Sequence, residues 1–225
     1  TPLLSCTLRT NTCLCLVTFK LLLLYLPQEH DLAPPTNLRF DSVDYKNVLS
    51  WSPPANGSSL LYDVQWKIYG DPDWLDAASC RGTQKLRCDL SSETSVPREW
   101  YYARVRSASG PSARSAWALS RRFSPRWATR ISPPVLKLKV SQQKVVVQVE
   151  PPRLHIRKMH SSLQFKIYLT HPSGEEGALP GGPPSPRKLT LHLRHRQRYC
   201  VQAQTQILLQ AKSSARSPPT CVSTL

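Results

Sequence analysis

Few side chains in this chain of 225 residues are able to do chemistry. Its six histidines are His30, His155, His160, His171, His192 and His195. His192 and His195 are three apart, and on an extended strand an odd spacing points two side chains to opposite faces, so they do not converge on a metal. His155 and His160 flank a basic loop, where solvated histidines are the default. There is no glycine-rich phosphate loop, no His-Glu-x-x-His, no Gly-x-Ser-x-Gly and no Cys-x-x-Cys. Neither an enzyme, a metal site nor a cofactor is expected.

The cysteines point to structure. Of the seven, Cys6, Cys13 and Cys15 lie near the N-terminus, which leaves Cys80, Cys88, Cys200 and Cys221 in the body of the chain. Cys80 and Cys88 enclose seven residues, a length that a strand-turn-strand can close. Cys200 and Cys221 sit at the far ends of the last two strand candidates, which antiparallel pairing would juxtapose. Four cysteines allow three pairings. The local one is expected because it keeps each bond within one half of the chain. Such staples suit small secreted domains and contribute about 2–4 kcal/mol each. Asn56-Gly57-Ser58 is an N-glycosylation acceptor in a turn, expected to be used in a secreted chain.

Secretion is the expectation from the N-terminus. Arg9 precedes an apolar run from Leu14 to Leu26, broken once by Lys20. A membrane span needs about 20 apolar residues; this run fits the apolar core of a signal peptide. Residues 1–33 are therefore expected to be a signal peptide or a disordered N-terminal segment. No second apolar run of spanning length follows, so a secreted, extracellular protein with no membrane span is expected.

The elements that must position these residues are strands. Proline is abundant, 21 against 8 glycines, and no long 3.6-period run exists. Proline is excluded from helix interiors and central strands, so this balance favours many edges and turns. Apolar residues alternate in short bursts: Leu49 and Trp51; Tyr62, Val64, Trp66 and Ile68; Leu86, Cys88 and Leu90; Tyr101, Ala103 and Val105, with Arg104 and Arg106 opposite. Period two with a polar opposite face is a half-buried antiparallel strand. The rhythm breaks at "RRFSPRWATRISPPV" (121–135), then restarts with Val145, Val147 and Val149, "LQFKIYL", Leu189, Leu191 and Leu193, and Tyr199, Val201 and Ala203. The two halves carry strand types in the same order. The expected fold is all-β, two tandem antiparallel sandwiches at 34–128 and 129–225. Tyr101 and Tyr199, each opening a late strand, have the placement of the tyrosine corner of immunoglobulin-like sandwiches. Trp51 is expected in the core, and Arg104, Arg106 and Trp117 in a surface ladder. "SGEEGALPGGPPSPR" (173–187) is turn material and a mobile loop is expected there.

One strand breaks its own rule. In "VQWKIYGDPDW" (64–74) Val64, Trp66 and Ile68 face inward, so Tyr69 points outward at the strand end, beside Gly70. Tyr69 either packs over its own turn against Trp74 or is displayed to a partner.

The net charge is +16. On charge alone nucleic acid, a heparin-like polysaccharide and acidic proteins are admissible. The basic residues form separate clusters, with Arg194, His195, Arg196 and Arg198 the densest. A heparin-like polyanion remains a candidate partner; nucleic acid is not expected.

"NVLSW", "VQWKIYG", "CRGTQKLRCDLSSETS", "YYARVRSAS", "RFSPRWATRISPPV" and "YCVQAQ" together resemble the class II cytokine receptors, strongly over about 35–150 and moderately over 188–225. The resemblance implies fibronectin type III domains and a partner among the helical cytokines of the interleukin-10 family, interleukin-22 foremost, bound at the elbow between domains. It maps the cytokine contacts to Lys67, Tyr69 and Gly70, to Glu93, Thr94 and Ser95, to the loop after "YYARVRSAS" with Ser109, Gly110 and Arg114, and in the second half to the stretches 155–160, with His155 and Lys158, and 207–212, with Leu208. The implied function is a secreted decoy receptor that blocks the cell-surface receptor; the alternative is the ectodomain of a membrane-bound receptor chain. A heparin-binding matrix protein is the third class.

Overall fold

The computed structural model describes residues 32–55, 59–110, 112–141, 144–150, 160, 163–179 and 188–224. The apolar alternation becomes antiparallel sheet throughout. In the first domain β1 (Thr36–Val43), β2 (Lys46–Ser52) and β5 (Arg87–Asp89) form one sheet in the order β1-β2-β5. The facing sheet runs β4 (Leu75–Asp76), β3 (Leu61–Ile68), β6 (Tyr101–Ser109), β7 (Ala113–Arg114), with β8 (Ala118–Leu119) also on β6. Leu49, Trp51 and Cys88 from one sheet meet Val64, Ala103 and Val105 from the other in a single buried cluster. This is the inter-sheet core of a sandwich.

A single-turn helix, α1 (Pro125–Ala128), then leads into the second domain. There β9 (Val135–Ser141), β10 (Lys144–Glu150) and β13 (Lys188–His192) form the sheet β13-β10-β9. It packs on β11 (Leu163–Thr170), β12 (Glu176–Leu179), β14 (Arg198–Ile207) and β15 (Lys212–Ser213), with β16 (Thr220–Ser223) on β14. Val145, Val147 and Val149 are fully buried between the sheets. Each contributes about 1.5–3 kcal/mol by leaving water, and a charge at any of them would open this core.

Both expected disulfides are formed, Cys80 to Cys88 and Cys200 to Cys221. Cys200 and Cys221 are direct register partners across β14 and β16. Both tyrosine corners are present too. The Tyr101 hydroxyl donates to the Val96 carbonyl at 3.0 Å, five residues upstream. The Tyr199 hydroxyl accepts from the Arg194 N–H at 3.2 Å, again five residues upstream. The ladder on the outer face of β3 and β6 gains a member that the sequence did not reveal. Arg104 lies between Trp74 and Trp117, 4.3 and 4.5 Å from their ring centres, and Arg106 lies 4.5 Å from Trp117. Asp63 accepts two hydrogen bonds from Arg106, and Gln65 two from Arg104. Asn56, and the loop expected at 173–187 from residue 180 on, lie outside the described residues, as does the expected signal segment up to residue 31.

Candidate functional site

Strand direction decides what lies at the junction of the two domains. β3 and β6 are antiparallel, with Ile68 opposite Tyr101 and Leu61 opposite Ala108. The end of β3, the start of β6 and α1 therefore share one end of the first domain. Tyr69 continues β3 by one residue, its N–H donating to the Trp100 carbonyl at 2.6 Å. Gly70 then turns the chain with φ +98°, a left-handed conformation that side-chain-bearing residues rarely adopt. Lys67 closes the turn, its ammonium donating to the Asp71 carbonyl at 2.8 Å.

Tyr69 is 57% exposed. It does not pack on Trp74, which instead holds Lys67 and Arg104 over its ring. Its own neighbours are Tyr102, with ring centres 6.1 Å apart, and Arg122, 5.3 Å over the Tyr69 ring and 4.4 Å over Trp100. These contacts brace the ring, and more than half of the residue stays in solvent.

The loop before β6 sits at the same end. Ser95 and Val96 are exposed and Glu93 is half-buried. Thr94 corrects the expectation, since its side chain is buried. Its hydroxyl donates to the Leu90 carbonyl at 2.6 Å and accepts from the Asn47 amide at 2.7 Å. Thr94 shapes the loop from inside and offers no surface to a partner.

Ser109, Gly110 and Arg114 correct it more strongly. They flank the hairpin after β6, eight residues beyond Tyr101, or about 26 Å at ~3.3 Å per residue. The structure puts them at the end of the first domain away from the junction. Arg114 is paired there with Asp63 at 3.8 Å. The physical reason is parity: in an antiparallel sheet, the connections before and after one strand lie at opposite ends.

Other residues take their place at the junction. Trp127 on α1 is 58% exposed. The Lys212 ammonium donates to the Trp127 and Thr129 carbonyls at 3.1 and 2.8 Å, tying the second domain to the helix. Leu208 and Leu209 stand on the turn Leu208–Gln210 after β14, 54% and 79% exposed. Leu208 and Leu209 stand within the expected stretch 207–212; Val96, Trp127 and Arg122 were not expected. An open cleft of about 520 Å³ lies beside Trp127, lined also by Val43, Ile131, Pro133 and Lys212. His155 and Lys158 lie outside the described residues.

Beneath this surface the domains are latched. Asp44 and Tyr45 form the two-residue β1–β2 turn with φ +52° and +63°. A bulky side chain at positive φ is strained. Tyr45 is held there by its N–H to Thr129 Oγ1 at 2.9 Å and by a 2.7 Å hydrogen bond between its hydroxyl and His160 Nε2. Its ring packs in the hydrophobic cluster of the second domain with Ile131. The Asp44 N–H and carboxylate add bonds to the Arg130 carbonyl and the Ser132 N–H. Burial, with Lys212 and Arg126 nearby, pushes the His160 pKa down, and burial pushes that of Lys212 down. The arrangement is a braced elbow with an apolar, aromatic rim. The hydroxyl–imidazole pair of Tyr45 with His160 is buried and serves the latch.

Known proteins agree with this architecture. Residues 12–117 match the tissue factor family model, and residues 129–225 match that of the interferon-alpha/beta receptor, fibronectin type III. The chain is built from domains of the class II cytokine receptor family, a family of receptors and not of enzymes. Within it the chain is similar to mouse interleukin-22 receptor subunit alpha-2, 40% identical over 124 residues that make up 53% of each chain. The human protein of that name is 33% identical over 162 residues, covering 57% of this chain and 61% of the relative. Human interleukin-20 receptor subunit alpha is 34% identical over 148 residues, 60% of this chain and 27% of the relative. The chain thus spans between about a quarter and three fifths of these relatives' length. The crystal structure of the chicken interferon gamma receptor alpha chain superposes with a TM-score of 0.73 at 20% identity, over 86% of this chain and 98% of that one, a likeness of fold.

Proposed function

We propose that this chain binds a helical cytokine of the interleukin-10 family, interleukin-22 foremost, at the junction of its two domains. We propose further that it acts outside the cell as a decoy, occupying the face by which the cytokine would meet its cell-surface receptor. The observation that carries the first part is the set of large apolar side chains left in solvent at one place: Tyr69, Val96, Trp127, Leu208 and Leu209. Interface hot spots are enriched in tyrosine and tryptophan set in well-packed surroundings, and the Tyr102–Arg122–Trp100 stack pre-organises Tyr69 for that role. The likeness to chains named interleukin-22 receptor subunit alpha-2 supports the choice of cytokine.

The likeness to interleukin-20 receptor subunit alpha favours a second reading, the ectodomain of a membrane-bound receptor chain. The test is a binding titration of the expressed chain against interleukin-22 and related cytokines, followed by a signalling assay on cells bearing the receptor. The decoy reading expects saturable binding and loss of signalling. Absence of binding to every cytokine of the family overturns the reading. Sequencing the transcript beyond Leu225 separates the two, since an apolar stretch of about 20 residues would make the chain membrane-bound.

A further inference from the structure

The outer face of the β13-β10-β9 sheet is charged in a way that its counterpart in the first domain is not. Its register sets out three rows: Lys137, Gln148 and Lys188; Lys139, Val146 and Thr190; Ser141, Lys144 and His192. They alternate with the inward-facing Leu136, Val145, Val147 and Val149, so this face looks to solvent. Four lysines occupy an area of about 10 by 13 Å, at ~4.8 Å between strands and ~3.3 Å per residue. The carboxylate on the face, Glu150, pairs with Lys137. Among the described residues Lys139, Lys144 and Lys188 have no ion-pair partner, and the turn after β13 adds exposed Arg194 and Arg196, with exposed Arg198 opening β14. The matching face of the first domain, on β1-β2-β5, is closer to neutral, with three cations against two carboxylates where this face has four against one. There Arg39, Lys46 and Arg87 share the face with Asp41 and Asp89, and Lys46 pairs with Asp89 and Asp41 with Arg130.

Neighbouring lysines stand about 7–14 Å apart, comparable with the Debye length of about 8 Å in physiological salt, and repel one another in part. A polyanion laid across the rows removes that repulsion and releases its own counterions. We propose that this face binds a sulfated polysaccharide. No Phe, Tyr or Trp stands in the three rows to stack on a base, and among the described residues these strands carry no helix to enter a groove, which disfavours nucleic acid. Val146 is the one apolar side chain in the rows, too little to seat in a lipid surface. A flat pleated face of ammonium point charges suits sulfate groups spaced along an extended chain. The rows run toward the end of the second domain away from the junction, so this inference stands apart from the cytokine reading.

The test is binding of the whole chain to immobilised heparin across a salt series, without cytokine. The triple variant Lys139→Ser, Lys144→Ser, Lys188→Ser is compared with Arg39→Ser, Lys46→Ser, Arg87→Ser, which removes the same charge from the first domain. The first triple is expected to weaken binding at least ~10-fold and to flatten the log–log salt slope by about two to three units, at ~0.7–0.9 per ion contact. The second is expected to change it less than ~2-fold. Lys144→Glu alone should move binding in the same direction as the first triple, and far-ultraviolet circular dichroism checks that each variant is folded. Equal losses in the two triples would show attraction to net charge alone and overturn the site. So would failure of the parent to bind heparin, or duplex DNA competing as well as soluble heparin does.

Discussion

Replacing Tyr69 with alanine should cost binding and spare the fold. Tyr69 is 57% exposed in the free chain. A tyrosine that becomes fully buried removes about 150–250 Å² from water, so roughly 115 Å² remains for a partner to cover. At ~25 cal/mol per Å² this is an upper bound near 3 kcal/mol. Desolvation of the hydroxyl lowers it to about 2–3 kcal/mol, the range of interface hot spots, or a ~30- to 150-fold loss of affinity. The fold loses only the contacts to Arg122 and Tyr102, worth about 0.5–1.5 kcal/mol, which is a few degrees in the melting temperature. Calorimetric titration against interleukin-22, with a thermal melt of the same sample, measures both. Arg114→Ala is the matched control: it stands at the far end of the same sheet, and its removal should change affinity less than ~2-fold. Full affinity in Tyr69→Ala together with a large loss in Arg114→Ala would refute the placement of the contact surface at the junction.

Other perturbations test the frame behind that surface. The His160 pKa is held down by burial and then by Lys212 and Arg126, so the native state binds fewer protons than the unfolded chain just below the free value of about 6.5. Stability should therefore be full above that pH and fall as acid is added through it, and His160→Gln should flatten the dependence in thermal melts. Trp117→Ala removes the ring shared by Arg104 and Arg106, and should cost about 1–4 kcal/mol in urea unfolding, at ~0.5–2 kcal/mol for each of the two contacts. Thr94→Ala leaves the buried Asn47 amide without its 2.7 Å partner and should cost about 1–3 kcal/mol, read from the same unfolding curves. Cys80→Ser with Cys88→Ser opens a short loop and should cost about 2 kcal/mol, the low end for a disulfide.

The strands, the disulfides and the tyrosine corners were legible because their signals are local. Period two marks a half-buried strand from a handful of residues, and a tyrosine corner ties back over five positions in each domain. Tyr69 was legible for the same reason, its outward direction following from Trp66 and Ile68. What could not be read depends on distant pairing. Tyr45 and His160 are 115 positions apart, and nothing around Tyr45 announces that a strained turn will be driven into the next domain. Thr94 misled by residue type: a polar residue in a loop reads as surface, yet its hydroxyl is the buried partner of Asn47. Trp74 fell to a similar ambiguity, as the sequence places it within reach of Tyr69 while the sheet places it over Arg104.

The misplacement of Ser109 to Arg114 was of another kind, because sequence order alone could have prevented it. In an antiparallel sandwich successive strands reverse, so connections at one end recur at every second turn along each sheet. If the end of β3 faces the junction, then so does the start of β6, and the hairpin after β6 cannot. The same parity carries into the second domain. β9 leaves the junction at Val135, and β10 returns to it at Glu150, opposite Val135. β11 leaves again at Leu163, opposite Ile207, where β14 returns. β10 thus ends and β11 begins at the junction, at the same end as the turn bearing Leu208 and Leu209. A partner seated on Tyr69 therefore meets, in the second domain, connections of the same parity first. Substitutions there should couple energetically to Tyr69→Ala in double-mutant cycles, while substitutions at the opposite parity should add independently.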